Sequence, residues 1–499
     1  MAVLGIDIGT GGSRAVIVDD MGRVLASSTQ AHVPFDSPQT GWAEQDPDDW
    51  WHAAQVAIRA VLTDGPVTSA DVRAVGLSGQ MHGAVLLDEA GVVVRPAIIW
   101  CDQRTDAQCR WLTDQIGASR LNDLVSNPAL TGFTLPKLLW VREQEPARWD
   151  RVHTVLLPKD YVRWRLTGER ATDVADASGT LLFDVAHRCW SSAMLSAVGM
   201  DAACLPRAHE GPTVTGLVTA QSADATGLRP GTPVVAGGGD QAAGAVGMGV
   251  VRPGTVSATI GTSGVVFAAT DRPALDPRGR VHTFCHAVPG RWHVMGVTQG
   301  AGLSLRWLRD IFGISRGPAH ATGDPYDQLC EEAAQAPPGA DGVMWAPYLM
   351  GERTPHLDPH ARAALVGLSA SHTRAHVTRA VLEGVAFSLR DTFTILEEMG
   401  VPTTQIRLGG GGARSRLWRQ IQADVYGHDV ELLAAEEGAA YGAALLAGVG
   451  AGQWATVEEA CSCVVRVTET VTPVAADVEV LRTRYDRFRT LYAALHPAS

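Results

Sequence analysis

One carboxylate of this chain follows directly on three consecutive glycines. The apolar, β-branched residues 234–236 lead into residues 237–239, all glycine, and Asp240 then precedes a segment, residues 241–250, that favours a helix. Glycines lack a Cβ and therefore let backbone and ligand approach closely. An aspartate at this point could accept a proton from a bound hydroxyl group, and it could equally be the N-cap of the helix. The local sequence leaves both interpretations open.

Two glycine- and threonine-rich turns lie 252 residues apart. Residues 4–19 and residues 258–271 each predict a strand, a short turn and a second strand, which together form a β-hairpin. A shift of 252 residues places Gly9 on Gly261, Thr10 on Thr262, Gly12 on Gly264 and Asp19 on Asp271. One such turn is a weak signal, because hairpins often turn on glycine. Two turns in register predict a duplicated domain.

The tips of these two hairpins carry groups that bind phosphate. Exposed amides and a threonine hydroxyl at both tips would contact phosphates from two sides. The residues concerned are Thr10, Gly11 and Gly12 in the first hairpin and Gly261, Thr262 and Ser263 in the second. The arrangement differs from a Walker P-loop, whose G-x-x-x-x-G-K-[ST] pattern does not occur in the chain.

Only the first hairpin carries a carboxylate in its leading strand. The same shift of 252 residues places Asp7 on Thr259. A lone aspartate in a buried strand is costly unless it is paired or binds a metal. Mg²⁺ is a hard cation that carboxylate, water and phosphate oxygens satisfy. Asp7 is therefore a predicted Mg²⁺ ligand beside the first phosphate turn.

A third glycine cluster lies in residues 404–415. It contains Gly410, Gly411 and Ala413, and residues 417–426 follow with apolar side chains at helical spacing. A strand, a glycine loop and a helix would let a flat nucleoside lie against bare backbone, although glycine runs also serve as plain turns. Residues 437–446, rich in alanine and glycine, predict a closely packed helix with a structural role.

The elements that position these residues indicate an α/β architecture. Short β-branched strands alternate with amphipathic helices, for example residues 376–396. A chain of 499 residues is too long for one core, so at least two domains are expected. With one hairpin near the start of each half, the predicted domains are residues 1–250, which include Asp240, and residues 251–499, which include the nucleoside loop.

Charge and hydropathy exclude several classes of partner. The 41 Lys and Arg residues against 53 Asp and Glu residues give a net charge of −12, which argues against nucleic acid and against an anionic membrane surface. A nucleotide still fits, because a divalent cation and backbone amides can supply the local positive potential. No apolar run reaches the length of a membrane-spanning helix and the N-terminus lacks a basic signal segment, so cytoplasmic residence is expected.

Taken together, the two hairpins, the distal glycine loop and the Gly-Gly-Gly-Asp sequence resemble the sugar kinases of the actin-like ATPase superfamily. Within it the chain is similar to the FGGY carbohydrate kinases, whose two signatures are matched by residues 132–140 and by residues 367–387. Further segments are similar to the members that act on D-xylulose. These are residues 42–50 (W-x-E-Q-x-P-x-x-W), 78–83 (S-G-Q-M-H-G), 157–161, 178–180 and 351–356. The resemblance covers the chain from residue 3 to about residue 448.

The resemblance implies two actin-like, ribonuclease H-like α/β domains with an ATP and sugar cleft between them. It implies ATP- and Mg²⁺-dependent phosphorylation of O5 of D-xylulose to D-xylulose 5-phosphate, with Asp240 as general base and with Asp7 and Asp240 near the metal. The sugar-binding residues would be Gln80, Met81, His82, Asp102, Arg104, Asp240 and Gln241. The nucleotide-binding residues would be Thr10, Gly11, Gly12, Gly261, Thr262, Ser263, Gly410, Gly411 and Ala413.

Some alternatives stay open at this point. Asp102 and Arg104 could form a plain ion pair instead of binding sugar. The acceptor could be another sugar or polyol of the same family, such as L-ribulose, glycerol, a deoxyketose or a pentitol. A more remote alternative is an actin-like ATPase that acts as a scaffold. A homodimer is plausible for the family.

Overall fold

The computed structural model describes residues 2–313, 324–434 and 438–495. Its strands, in chain order, are β1 (Ala2–Ile8), β2 (Gly12–Asp19), β3 (Val24–Ala31), β4 (Glu44–Gln45), β5 (Val72–Gly79), β6 (Val85–Leu87), β7 (Ala97–Ile98), β8 (Thr154–Leu156), β9 (Ala171–Asp173), β10 (Phe183–Asp184), β11 (Cys189–Trp190), β12 (Arg207–His209), β13 (Val214–Leu217), β14 (Pro233–Val235), β15 (Gly238–Gly239), β16 (Gly254–Ile260), β17 (Gly264–Thr270), β18 (His282–Cys285), β19 (Trp292–Thr298), β20 (Met344–Ala346), β21 (Ala364–Val366), β22 (Thr403–Gly410), β23 (Val430–Leu433) and β24 (Val467–Val471).

Helices alternate with these strands, as the sequence predicts. They are α1 (Pro47–Asp64), α2 (Asp106–Ile116), α3 (Ala118–Val125), α4 (Thr134–Gln144), α5 (Pro146–Trp149), α6 (Pro158–Thr167), α7 (Val174–Ser178), α8 (Ser192–Val198), α9 (Ala220–Thr226), α10 (Asp240–Gly247), α11 (Ala301–Ile311), α12 (Pro325–Ala333), α13 (Arg374–Glu398), α14 (Arg416–Tyr426), α15 (Gly438–Gly450), α16 (Val457–Val464) and α17 (Ala475–Leu495). Short 3-10 helices lie at Ala202–Cys204, Ala340–Gly342 and Gly411–Ala413. The predicted α/β class is confirmed.

Two seven-stranded sheets carry the repeat. The first has the order β13-β14-β5-β1-β2-β3, with β15 also paired to β5; the second has the order β24-β23-β22-β16-β17-β19-β18. In each sheet a central antiparallel hairpin, β1–β2 or β16–β17, lies beside a parallel strand, β5 or β22. The predicted hairpins are thus confirmed, and β16 begins and ends 252 residues after β1. Taken in order from β13 to β3, the strands of the first sheet correspond one to one to the strands of the second sheet taken in order from β24 to β19.

Helix α15 connects the two halves. It packs on β1, β5 and α10, and its alanines share one hydrophobic cluster with residues of β1 and β2. Glycine allows the close approach, because a Cβ on Gly5 or Gly76 would collide with the backbone of α15. The predicted close-packed helix is therefore confirmed from residue 438 onward, whereas residue 437 lies outside the described residues. The division at residue 250 stays a prediction, since α15 belongs to one half in sequence and contacts the other.

The helix predicted at residues 376–396 is the core of the longer α13. Its N-terminus is stabilised by a capping box between Thr373 and His376. Its buried face contains the predicted Val381, Val385 and Leu389 and belongs to the core beneath the second sheet. No helix within the described parts of the chain combines the length and apolar character that crossing a membrane requires.

Candidate active site at the strand ends

Strand β5 brings the two candidate carboxylates together. Asp7 of β1 pairs with Ser78 on one side of β5, and Gly238 of β15 pairs with Ser78 on the other. Neighbouring strands lie roughly 5 Å apart. Asp240 follows β15 directly, so it lies across the end of β5 from Asp7. The two carboxylates are close enough that the charge on Asp7 helps to raise the pKa of Asp240.

The structure excludes one of the two interpretations of Asp240. Helix α10 begins at Asp240, its N-cap is Gly239, and no side chain caps it. Among the described residues, only the N–H of Gln241 donates a hydrogen bond to Asp240, at 2.7 Å from Oδ1. The N-cap interpretation is therefore wrong. Burial, followed by repulsion from Asp7, raises the pKa of Asp240 to about 7, as expected for a carboxylate withdrawn from water beside a like charge.

Asp7 has the features of an incomplete cation site. Its Oδ1 is buried and has no hydrogen-bond partner among the described residues. Burial raises the pKa of Asp7 to about 6, although the Ser78 hydroxyl and Arg14 act in the opposite direction. No group of three or more His, Cys, Asp or Glu side chains in the described part of the chain could hold a metal. Two neighbouring carboxylates fit Mg²⁺, which usually completes its shell with water and phosphate oxygens.

The first phosphate turn is tied to the loop that follows β5. The N–H of Gly9 donates to the Gly12 carbonyl at 3.0 Å and closes the turn around Thr10 and Gly11. Gln45, from the W-x-E-Q segment, donates to the Thr10 carbonyl at 2.8 Å. Its Oε1 accepts from Gln80 Nε2 at 2.9 Å. The side-chain amide of Gln80 is therefore hydrogen-bonded within the protein, next to the first phosphate turn.

Trp100 was not selected as a site residue from the sequence. Its indole Nε1 donates to the Thr10 hydroxyl at 2.9 Å, so Trp100 contacts a residue that is predicted to bind phosphate. The only signal was its position directly before the segment 101–104, and that segment was selected for its Asp and Arg. Because the two residues are 90 positions apart in the sequence, no local pattern predicts this contact.

His82 and Met81 occupy the turn after β5. His82 has φ 69°, which is unusual for a residue with a side chain. Its Nδ1 lies 2.7 Å from the Gly179 carbonyl. Nδ1 must carry the proton in that contact, which leaves Nε2 as an acceptor. Burial, followed by the charge of Lys137, lowers the pKa of His82 to about 3, so the ring is neutral. Buried Met81 lies against Gly239, where a Cβ would be 2.9 Å from Met81 Cγ.

Asp102 and Arg104 are occupied by contacts within the protein. Fully buried Asp102 accepts from the Ala43 N–H at 2.6 Å and from Arg104 Nη2 at 2.7 Å. Arg104 also contacts Glu44 Oε1 at 2.6 Å, and its guanidinium lies 3.8 Å from the centre of the Trp42 ring. These contacts favour the plain ion pair over a role in sugar binding. They also explain what Trp42 and Glu44 of the W-x-E-Q segment do.

The second phosphate turn is anchored on helix α11. The carbonyls of Gly261 and Thr262 accept from the N–H groups of Gly302 and Leu303 at 2.8 and 3.1 Å. The N–H of Gly261 donates to Ser263 O at 3.0 Å. The tip itself, Gly261 and Thr262, is exposed. The contact with α11 was not predicted, because helix and turn are 40 residues apart in sequence.

Two cavities meet at the third glycine cluster. One, of about 630 Å³, is lined by Asp240, Gln241, Gly410, Gly411 and Ala413 among others. The predicted base and the predicted nucleoside loop thus face the same space. Gly410 has φ 74°, and a Cβ there would be 2.5 Å from the Ile260 carbonyl, so this position requires glycine.

The second cavity, of about 320 Å³, joins the second phosphate turn to the same loop. It is lined by Gly261, Thr262 and Gly411, and also by Arg306 and Ser415, which were not predicted from the sequence. Gly411 lines both cavities. Five predicted positions, two in a turn and three in a loop about 150 residues later, therefore line two cavities that share Gly411.

Comparison with known proteins identifies the family. The model of the FGGY family of carbohydrate kinases, N-terminal domain, matches residues 2–247, and that of the C-terminal domain matches residues 256–451. The chain is 40% identical over 495 residues to the xylulose kinase of Escherichia coli K12, covering 99% of each chain. It is 37% identical over 490 residues to the xylulose kinase of Bacillus subtilis, covering 98% of this chain and 96% of that one.

Solved structures agree over the full length. A xyloylose kinase from Brucella ovis superimposes with a TM-score of 0.92 at 36% identity, covering 99% of each chain. A xylulose kinase from Rhodospirillum rubrum superimposes with a TM-score of 0.91 at 34% identity, covering 100% of this chain and 99% of that one. The predicted two-domain actin-like fold is confirmed, and the scaffold ATPase is set aside. This chain is a member of the FGGY family of carbohydrate kinases.

Proposed function

We propose that this kinase transfers the γ-phosphoryl group of ATP to O5 of D-xylulose and forms D-xylulose 5-phosphate. The identity to relatives named xylulose kinase over nearly the full chain supports the choice of sugar. One structural observation carries the chemistry. Asp240 is a carboxylate that caps no helix, stands across β5 from Asp7, and lines a cavity shared with the nucleoside loop.

Asp240 acts as the general base. The N–H of Gln241 holds Oδ1, so Oδ2 is the oxygen left to accept the proton of the attacking hydroxyl. A positioned base of this kind contributes about 10²- to 10⁴-fold to the rate. Phosphoryl transfer otherwise asks the protein mainly for positioning and for charge neutralisation.

Asp7 and Asp240 would hold Mg²⁺ when the nucleotide is bound. The cation would neutralise charge on the phosphates. The turn residues Thr10, Gly11 and Gly12 and their counterparts Gly261, Thr262 and Ser263 donate to phosphate oxygens. Gly410, Gly411 and Ala413 shelter the adenosine; all three line the 630 Å³ cavity, and Gly411 also lines the 320 Å³ cavity beside the second turn.

Met81, His82 and Gln241 orient the sugar. The neutral ring of His82 offers Nε2 as an acceptor for a sugar hydroxyl, because its Nδ1 proton is committed to Gly179. Closure of the two halves would exclude water, which otherwise competes as acceptor. The homodimer expected from the resemblance stays a prediction that size-exclusion chromatography would test.

The decisive experiment measures ADP release with Mg-ATP and a panel of acceptors: D-xylulose, L-ribulose, glycerol, D-gluconate and D-arabinitol. The highest kcat/KM is expected for D-xylulose. A higher value for another acceptor would retain Asp240 as base and would refute the assignment of Met81 and His82 to D-xylulose. Hydrolysis of ATP that no acceptor stimulates would contradict the proposed transfer itself.

A further inference from the structure

The backbone of His82 is held in an unfavourable conformation. A positive φ in a residue with a side chain is unfavourable and persists only where surrounding contacts enforce it. Three hydrogen bonds surround this residue. The ring donates to the Gly179 carbonyl, and the His82 carbonyl accepts from Lys137 Nζ at 2.8 Å and from Thr134 Oγ1 at 3.1 Å. Both donors to the carbonyl belong to the first two turns of α4.

Lys137 is a buried amine that binds no carboxylate. Its side chain is fully buried, and its Nζ donates to two carbonyls, those of His82 and Gly132, at 2.8 and 2.7 Å. No ion pair of Lys137 exists among the described residues. Burial lowers the pKa of Lys137 to about 7. Burying an amine without a paired carboxylate costs folding free energy. A hydrophobic residue at this position would therefore be more stabilising, unless the contact with His82 has a role in function.

Two buried elements thus form hydrogen bonds with different groups of His82. Helix α4 holds the carbonyl of His82, and the end of α7 holds its ring through Gly179. Helix α7 is itself fixed in the core, because Asp173 accepts from the N–H groups of Ala175 and Asp176 and contacts buried Lys159 at 2.6 Å. The hydrogen-bond partner of the ring therefore belongs to an element held in the core, whereas both donors to the His82 carbonyl among the described residues belong to α4.

We propose that Lys137, assisted by Thr134, is a positioning residue for the sugar: it holds the His82 peptide in the left-handed conformation in which the imidazole binds Gly179 and keeps Nε2 as an acceptor. Lys137 contacts neither sugar nor nucleotide in this scheme and acts only through His82. The proposal rests on the proposed function, because it requires that His82 contact the sugar.

The test is the effect of Lys137→Met on the KM values of the two substrates. The variant keeps the length of the side chain and loses its donors. We expect the KM for D-xylulose to rise about 10- to 100-fold, as for removal of a buried hydrogen-bond donor. The KM for ATP should change less than about twofold. Arg142→Met is the matched control: Arg142 is a basic residue in the last turn of the same helix that donates to a carbonyl, that of Val198, at 2.7 Å.

A double-mutant cycle separates positioning from a general effect on folding. If Lys137 acts through His82, then Lys137→Met should cost little further when added to His82→Asn, because contacting residues that act as one unit are not additive. Additive costs, or equal rises of both KM values, would overturn the proposal. If Lys137→Met does not fold, Thr134→Val replaces it. A rise of about threefold in the KM for D-xylulose is then expected, and an unchanged KM overturns the proposal.

The single variant His82→Asn distinguishes this inference from the proposed function. If it leaves the KM for D-xylulose unchanged, His82 does not contact the sugar, and the proposed sugar site fails together with the role of Lys137. If it raises that KM while Lys137→Met and Thr134→Val do not, the sugar site stands and only the positioning role fails.

Discussion

The two sheets share one strand order and differ in what they carry at the strand ends. The first sheet ends in side chains: Asp7 on β1, the Met81–His82 turn after β5, and Asp240 after β15. At the equivalent places the second sheet has Thr259 on β16 and the glycine-rich 3-10 helix Gly411–Ala413 after β22. Strand β15, which leads to Asp240, extends β14 toward the ligand side and has no counterpart in the described part of the second sheet.

In the proposed scheme, this difference divides one reaction over a duplicated scaffold. Both halves carry a predicted phosphate turn, so that the phosphates are contacted from two sides. The carboxylates proposed to accept the proton and to bind the cation, Asp240 and Asp7, lie in the first half, where the sugar is also proposed to bind. Bare backbone lies in the second half, where it can approach a flat nucleoside. Substitutions at equivalent positions therefore test whether the halves are functionally distinct.

The largest expected effect is that of a substitution at Asp240, which has no equivalent in the described part of the second half. Asp240→Asn should lower kcat about 10²- to 10⁴-fold, because the amide cannot take the proton of the attacking hydroxyl. The dissociation constant for ATP should stay within a few-fold. Rapid-quench measurement of phosphoryl transfer, together with calorimetric ATP binding, checks both. Near-normal turnover would remove Asp240 from the chemistry.

Asp7 and Thr259 form the sharpest matched pair. Asp7→Asn should weaken Mg²⁺ dependence and ATP affinity by about 10-fold, since a charged oxygen ligand is lost from a site with few others. Thr259→Val, at the equivalent strand position, should leave the Mg²⁺ titration unchanged. The measurement is ADP release against Mg²⁺ concentration at fixed ATP. Identical titrations for both variants would contradict the functional difference between the halves.

Acid should destabilise the second sheet through its buried histidines. Burial lowers the pKa of His282 to about 3 and that of His286 to about 4, below the ordinary value of 6.5. The unfolded chain therefore takes up protons below pH 6.5 that the folded state refuses until pH 3–4, so the stability due to neutral histidine falls as pH drops through that window. Each group contributes a loss of about 1.4 kcal/mol by pH 5.5.

Comparison of one histidine variant with wild type isolates this effect from that of the carboxyl groups. The unfolding free energy of His282→Phe, measured in urea, should fall about 1.4 kcal/mol less than that of wild type between pH 7.5 and 5.5. A pH dependence for His282→Phe equal to that of wild type would show that His282 is protonated in the folded state.

Two neighbouring glycines of the nucleoside loop should differ in how much stability a substitution costs. Gly410→Ala places a Cβ 2.5 Å from the Ile260 carbonyl at φ 74°, and should cost about 1–3 kcal/mol of unfolding free energy. At Gly411 the nearest atom to a Cβ is 3.9 Å away, so Gly411→Ala should be nearly neutral. Thermal unfolding of both variants checks the pair. Equal shifts in melting temperature would show that conformation does not require glycine at residue 410.

Some of the site was predictable because its signal is local or repeated. The hairpins at Thr10 and Thr262 repeat with a shift of 252 residues, and the run of glycines before Asp240 stands out in any window. The sequence did not decide whether Asp102 and Arg104 bind the sugar or form an ion pair. Their ion pair depends on Glu44 and Ala43, about 60 residues earlier, and the same two residue types would fit a sugar site equally well.

The sequence by itself determined the α/β class, the duplicated hairpins and the identity of the candidate base, because alternation, turn chemistry and spacing act over a few residues. Only the tertiary structure decided that Gly239 rather than Asp240 caps α10, that α15 packs on the sheet of the other half, and that Lys137 donates to the carbonyl of His82. Each of these depends on which backbone groups are already satisfied and which are brought together by the fold. Hydrogen-bond partners distant in the chain are chosen by the packing of whole elements, and the residues alone do not specify that choice.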